Sequence, residues 1–200
     1  MFGDHPVGRP VIGSVDSVAG MTRSQLHSFH VRRYIPERMV VAVAGNIDHD
    51  VVVALVRKYF RRSLIKGRRP QAPRKGAGRL TGRPGLVVIK RDAEQTHLSL
   101  GVRVPGRHWR DRWALSVLNT ALGGGLSSRL FQQIRETRGL AYSVYSTIDT
   151  FSDSGALSVY AACLPERFDE VVRLTAEVLE SVARDGITES ECSIAKGSMR

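Results

Sequence analysis

Six histidines, two cysteines and nineteen carboxylates are the material for metal or acid–base chemistry in this 200-residue chain. The motif His27-x-x-His30 sets two imidazoles on nearly one face of a helix. A zinc site needs three or four ligands, and no Asp or Glu lies in that helix to complete one. A surface or half-buried pair is the expectation. The sequence contains no His-Glu-x-x-His and no His-x-x-Glu-His. His97 falls in an alternating strand and is expected to pack. Cys163 and Cys192 are too few for a structural zinc site, and such sparse thiols fit a reducing compartment. The run Gly123-Gly124-Gly125-Leu126-Ser127-Ser128-Arg129 invites comparison with a phosphate loop. It lacks the required Lys and follows a helical pattern, so it reads as one helix end and the next helix start, with Ser127 or Ser128 near the cap.

The net charge of +11 is concentrated. Thirteen Lys and Arg and no acid lie between Arg57 and Arg91, leaving the rest of the chain at −2. A basic segment can bind nucleic acid by neutralising phosphates. Here only Tyr59 and Phe60 accompany the charges, and both fit a helix stripe. No stacking platform is interleaved, so nucleic-acid binding is the less favoured reading and a solvated linker the preferred one. Composition is ordinary for a globular chain, at 42% apolar and 24% charged. No stretch approaches the ~18 apolar residues of a membrane span. Asp4, His5 and Pro6 interrupt the start, so neither a signal nor a transit peptide is expected there.

These residues need elements to hold them. Thr22-x-x-Gln25 resembles a capping box, and Leu26, Phe29, Arg33 and Tyr34 follow at helical spacing up to Pro36. Residues 39–44 form a short apolar run expected to be a buried strand. Asp48 caps a second helix with a stripe through Val51, Val52, Leu55, Val56, Tyr59 and Phe60. The Pro/Gly/Arg-rich segment that follows reads as a linker. Beyond it, residues 86–90 and 95–104 are expected to pair as a hairpin. Asp111 caps a helix ended by the three glycines, and residues 126–136 read as another with Leu126, Leu130 and Ile134 on one face. Residues 141–150 and 155–164 are strands. Glu166 opens a long amphipathic helix ended by Gly186, and Thr188 starts a last helix expected to run on to Arg200. Strands and helices segregate, so the predicted class is α+β, with antiparallel sheet covered by helices on one face. The expected organisation is a first unit over 1–61, a basic linker over 62–85 and a second unit over 86–200. The two units are expected to be related, the first cut at its front and the second at its end. Apolar edges left bare by such cuts predict poor solubility or association.

The stretch 122–146, LGGGLSSRLFQQIRETRGLAYSVYS, resembles the second half of the pitrilysin and insulysin-like (inverzincin) zinc peptidases, in their bacterial processing-peptidase-like branch. The similarity extends to FGDHPVGRPVIG at 2–13, YIPERMV at 34–40 and the helix beginning at Thr188. In that family an Arg followed seven residues later by a Tyr binds substrate, and Arg135 and Tyr142 hold those positions. By spacing alone, Arg135 would pair with a carboxylate such as Glu136 or Glu166 and Tyr142 would be core. The family's His-x-x-Glu-His motif and further Glu ligand would all precede Met1.

The resemblance implies a metalloendopeptidase parent in which zinc polarises a scissile carbonyl and a Glu takes the proton of bound water. Arg135 and Tyr142 would reach the carbonyl oxygen, whose charge grows in the tetrahedral intermediate. This chain is expected to carry no catalytic residue and no metal ligand set, and to be inactive alone. The alternative is a non-catalytic relative that works as a scaffold or partner beside a zinc-bearing subunit. A peptide is the expected ligand, with a homodimer or a zinc-bearing subunit as partner. A bacterial cytoplasmic location is the accompanying expectation.

Overall fold

The structure, a computed structural model, describes residues 1–3, 5–60, 80 and 82–200. The chain divides into two compact units, Met1–Gly8 with Arg79–Arg200, and Arg9–Gly78. Most of the expected linker, and with it the basic segment offered for nucleic acid, lies outside the described residues.

Among the described residues of the unit over 9–78, the regular elements are helices. Ser14 and Ser17 close a reciprocal capping box that starts helix α1 (Val15–Ala19). Thr22 and Gln25 do the same for α2 (Arg23–Arg33), as their spacing predicts. Asp48 Oδ1 accepts from the Val51 amide at 3.0 Å, starting α3 (His49–Phe60). Residues 39–44 form no strand among the described residues, and Val40 is fully in solvent. The expectation of a buried strand there fails because an apolar run of this kind is stable only when a neighbouring strand pairs with it.

The unit over 79–200 is a three-stranded antiparallel sheet with helices on one face. Its elements are β1 (Thr96–Val104), α4 (Arg112–Leu122), a π-helical turn (Phe131–Glu136), β2 (Ala141–Thr150), β3 (Gly155–Cys163), α5 (Phe168–Asp185) and α6 (Glu189–Ser198). Strand order is β1-β3-β2. Val144, Val159, Ala161 and Cys163 from the sheet, Leu122, Leu130, Ile134 and Leu140 from the connecting helices and loop, and Val171, Leu174 and Val178 from α5 belong to one core cluster. The α5 positions recur at three- and four-residue spacing, which sets them on one stripe. The opposite face of the sheet carries Tyr145, Tyr160 and His97. The segregated α+β class read from the sequence is the observed one.

The hairpin expected between 86–90 and 95–104 is not formed. All nine residues of β1 pair with β3, from Thr96↔Cys163 to Val104↔Gly155. Residues 86–89 stay unpaired and exposed. Periodicity identified the apolar run, but partner choice is set by long-range register, which β3 takes on both of its edges. Three smaller corrections concern helix ends. Asp111 precedes α4 without a side-chain cap bond. The helix expected from Leu126 starts near Arg129, leaving Leu126 exposed. The last helix ends at Ser198, short of Arg200.

Residues 1–3 and 5–8 belong to the sheet unit. The Phe2 ring meets Phe151 edge-on at 6.5 Å. His5 is buried, and its Nδ1 accepts from the Val7 amide at 3.3 Å. That leaves Nε2 to face the Asp153 carboxylate at 3.6 Å. An N-terminal strap is thus fixed to the β2–β3 turn by one aromatic and one polar contact.

Candidate substrate-binding site

Arg135 lies near the end of the π-helical turn, and Tyr142 near the start of β2. The Thr137 amide reaches back five residues to the Gln132 carbonyl at 3.0 Å, the wide bonding of a π turn. The chain then reverses at Gly139, whose φ of +61° lies in the left-handed region that glycine enters without strain. The Gly139 amide bonds the Arg135 carbonyl and the Leu140 amide the Ile134 carbonyl, both at 2.9 Å. Buried Ile134 and Leu140 lock this end into the core.

Tyr142 is the extra residue of a β-bulge. Ala141 pairs with Cys163 and Ser143 with Ala162, so nothing opposes Tyr142. Val144 and Ser146 are buried, and strict alternation from them would turn Tyr142 inward. The bulge breaks the alternation, and Tyr142 is 75% exposed.

These two devices bring the side chains together. The Arg135 guanidinium lies 5.6 Å from the Tyr142 ring centre and 5.1 Å from that of Phe131. Cation–π contact on the flat faces leaves the N–H edges of Arg135 pointing elsewhere. Among the described residues no carboxylate pairs with Arg135, neither Glu136 nor Glu166. Tyr142 is not core. The ordinary structural roles open to these residues on spacing alone are therefore not the ones they adopt. The arrangement is a pair of exposed donors, one cationic and one phenolic, on a rigid base.

The chain matches a family model described as the peptidase M16 inactive domain over residues 20–199. The chain belongs to the peptidase M16 family. An uncharacterized zinc protease of Mycobacterium tuberculosis (strain H37Rv) is 74% identical over 200 residues, which are the whole of this chain and 46% of that protein. Another from Bacillus subtilis is 35% identical over 199 residues, across 47% of its length. The chain thus spans about half the length of these relatives. Among solved structures, a peptidase M16 inactive domain from Pseudomonas fluorescens superposes with a TM-score of 0.78 at 25% identity, covering 100% of this chain and 48% of that one. A chain of complex III from Candida albicans shares the fold at 18% identity and a TM-score of 0.75, over 99% of this chain and 48% of that one.

Relatives in the M16 family carry the name zinc protease, so the fit of zinc to this chain can be tested. Among the described residues no group of three or more His, Cys, Asp or Glu could hold a metal. His30 of the His27/His30 pair instead stacks on Tyr34 at 4.6 Å. Cys163 is buried, which raises its thiol pKa, with Glu166 adding to the rise. The described residues do not fit a zinc centre.

Three further readings are corrected or sharpened by the geometry. His97 does not pack inside the strand; it is exposed, with Nδ1 2.8 Å from the Tyr160 hydroxyl. The glycine run is a structural joint. The Gly123 carbonyl accepts from the Ser146 amide at 3.0 Å, and a Cβ on Gly123 would fall 2.5 Å from that amide nitrogen. Ser128 is buried at the helix start but its hydroxyl makes no bond, so it does not cap.

Sequence reasoning missed Arg129. Its guanidinium donates to both oxygens of Glu191, to Ser181 Oγ at 3.1 Å and to the Gly186 carbonyl at 3.0 Å. It ties the helix bearing Arg135 to the α5–α6 corner. Ser-Arg-Leu-Phe belongs to the most diagnostic stretch of the sequence, but nothing local to it points to an acid 62 residues away.

Proposed function

We propose that this chain is the substrate-gripping portion of a zinc metalloendopeptidase, with Arg135 and Tyr142 binding the peptide backbone. The observation that carries the reading is the exposed Arg135–Tyr142 cation–π pair, whose donors bond no acceptor among the described residues. Peptide carbonyl oxygens are the complementary groups, and a hydrogen bond from a charged donor to one is worth about 1.5–3 kcal/mol. Donors held in place by a π turn and a bulge need no reorganisation when charge develops on that oxygen. The hydrolytic centre belongs to a zinc-bearing region outside this chain, in keeping with the half-length match to relatives named zinc proteases. The same reading keeps a cytoplasmic setting as part of the proposal, in a bacterium as for the relatives matched.

A second reading makes the protein a non-catalytic partner of a zinc-bearing subunit. It is favoured by the description of the matching family model as an inactive domain. Both readings need the grip.

The test is binding of a fluorescein-labelled extended peptide to the purified chain, read by anisotropy. Arg135→Ala is expected to weaken binding at least about 10-fold, corresponding to roughly 1.4 kcal/mol. Unchanged affinity in a folded Arg135→Ala chain would overturn the proposal. Adding a zinc-bearing M16 subunit then separates the readings: turnover that appears only with the subunit supports the partner role.

A further inference from the structure

The solvent face of the sheet holds a second group of aromatic residues that the backbone grip does not use. Tyr145 of β2 lies directly opposite Tyr160 of β3, and Ser99 of β1 lies opposite Tyr160 on its other side. The rings of Tyr145 and Tyr160 meet at 5.1 Å, and those of Tyr160 and His97 at 5.9 Å. His97 Nδ1 holds the Tyr160 hydroxyl at 2.8 Å. Tyr145 is 43% exposed. Around these rings the face carries the small residues Ser99, Gly101, Ser158, Thr147 and Ala162, with the Met1 side chain against Gly101, and ring surface is open to solvent at Tyr145.

On β2 the row begins just beyond Tyr142: Ser143 pairs with Ala162 and Tyr145 with Tyr160, both on the face opposite buried Val144 and Ser146. The row crosses three strands, a distance of about 10 Å at the usual strand spacing. An extended peptide covers that distance in about three residues. A peptide gripped at Arg135 and Tyr142 and running across the strands therefore lays a neighbouring side chain on Tyr145 and Tyr160.

We propose that Tyr145, Tyr160 and His97 form a side-chain subsite that prefers an aromatic residue of the bound peptide. The inference rests on the reading of Arg135 and Tyr142 as the backbone grip. The Tyr160 hydroxyl is occupied by His97, so ring surface is what the subsite chiefly offers. Tilted rings with centres 5–6 Å apart accept a third ring edge-on or offset, the arrangements aromatic groups favour. Tyr145, Tyr160 and His97 contribute no carboxylate, so a cationic side chain finds no ion-pair partner among them.

The experiment uses the full 200-residue chain and a series of fluorescein-labelled octapeptides, Ala-based, with Phe placed at each position in turn. Anisotropy gives the dissociation constants. Phe at one position is expected to tighten binding about 10-fold over Ala. That gain is expected to fall below 3-fold in Tyr145→Ala and in His97→Ala, both exposed positions whose folding is checked by thermal melting. Tyr145→Phe keeps the gain. If no position shows a gain, or if the gain survives both alanine variants, the subsite is refuted while the grip stands. Arg135→Ala weakens all peptides alike; were it to leave them all unchanged, the grip would fail independently of the subsite.

Discussion

Arg129 and Glu191, 62 residues apart in sequence, meet in a two-point ion pair at the start of α6. Glu191 also accepts from the amide and hydroxyl of Thr188, at 2.7 and 3.0 Å, completing a capping box. The Arg129 hydrogen bonds, with those of Thr188, hold the Glu191 pKa down at about 2 from 4.5, against the opposing effect of burial. A carboxylate depressed on folding stabilises the native state fully above its unfolded pKa and loses that contribution as pH falls through the folded one. The contribution is therefore present at neutral pH and disappears between about pH 4.5 and 2. Urea unfolding at pH 7 is expected to show Glu191→Gln less stable by about 2–3 kcal/mol. The difference from wild type is expected to shrink steadily between pH 4.5 and 2. A constant difference across that range would contradict the assignment.

Gly123 is expected to tolerate no side chain. A Cβ would lie 2.5 Å from the Ser146 amide nitrogen and 2.9 Å from its Cβ, against backbone that cannot step aside. Gly123→Ala is predicted to cost about 1–3 kcal/mol of stability, the usual range for overpacking. Hydrogen exchange offers a second readout: the Ser146 amide, now bonded to the Gly123 carbonyl, should lose protection.

Gly139→Ala acts on the site through the backbone. At φ +61° an alanine is strained, with open space around its Cβ. The expected cost is about 1 kcal/mol. Because Gly139 sets the reversal between Arg135 and Tyr142, peptide affinity should fall as well, whereas a mutation of equal cost elsewhere should leave it unchanged. Equal affinities for Gly139→Ala and such a control would show that the reversal does not position the pair.

The strap over 1–8 gives a proteolytic prediction. His5→Ala removes the buried ring facing Asp153 and accepting from Val7. Cleavage within the first ten residues by a low concentration of a nonspecific protease should speed up several-fold, with the sheet unit left intact. Phe2→Ala, which removes the contact with Phe151, should act in the same direction.

Metal analysis of the purified chain is expected to find less than about 0.1 zinc per chain, because three or four ligands must converge for tight binding. One zinc retained through dialysis would overturn that expectation.

The fold class was legible because α5, β2 and β3 advertise themselves: long amphipathic stripes and clean alternation survive in any context. The capping box at Thr22 and the helix start at Thr188 were equally local, and both are made. Pairing was not legible. Residues 86–90 look like the first arm of a hairpin, yet β1 gives its bonds to β3, a choice made by registers sixty residues apart. At the site, the resemblance named Arg135 and Tyr142, but neither the π turn nor the bulge has a signature in residue type. Tyr142 and Val144 have the spacing of neighbours on one strand face, yet Val144 is buried and Tyr142 exposed. Arg129 was invisible for the related reason that its partner is remote.

One residue of slack in β2 has a consequence for the evolution of this surface. Deleting a single position between Ala141 and Val144 would restore even pleating and rotate what remains there by half a turn. The core beneath, held by Val144, Ser146 and Val159, would hardly notice, since its own alternation starts beyond the defect. Binding capacity on this domain can thus be gained or erased by a change too small to alter its architecture.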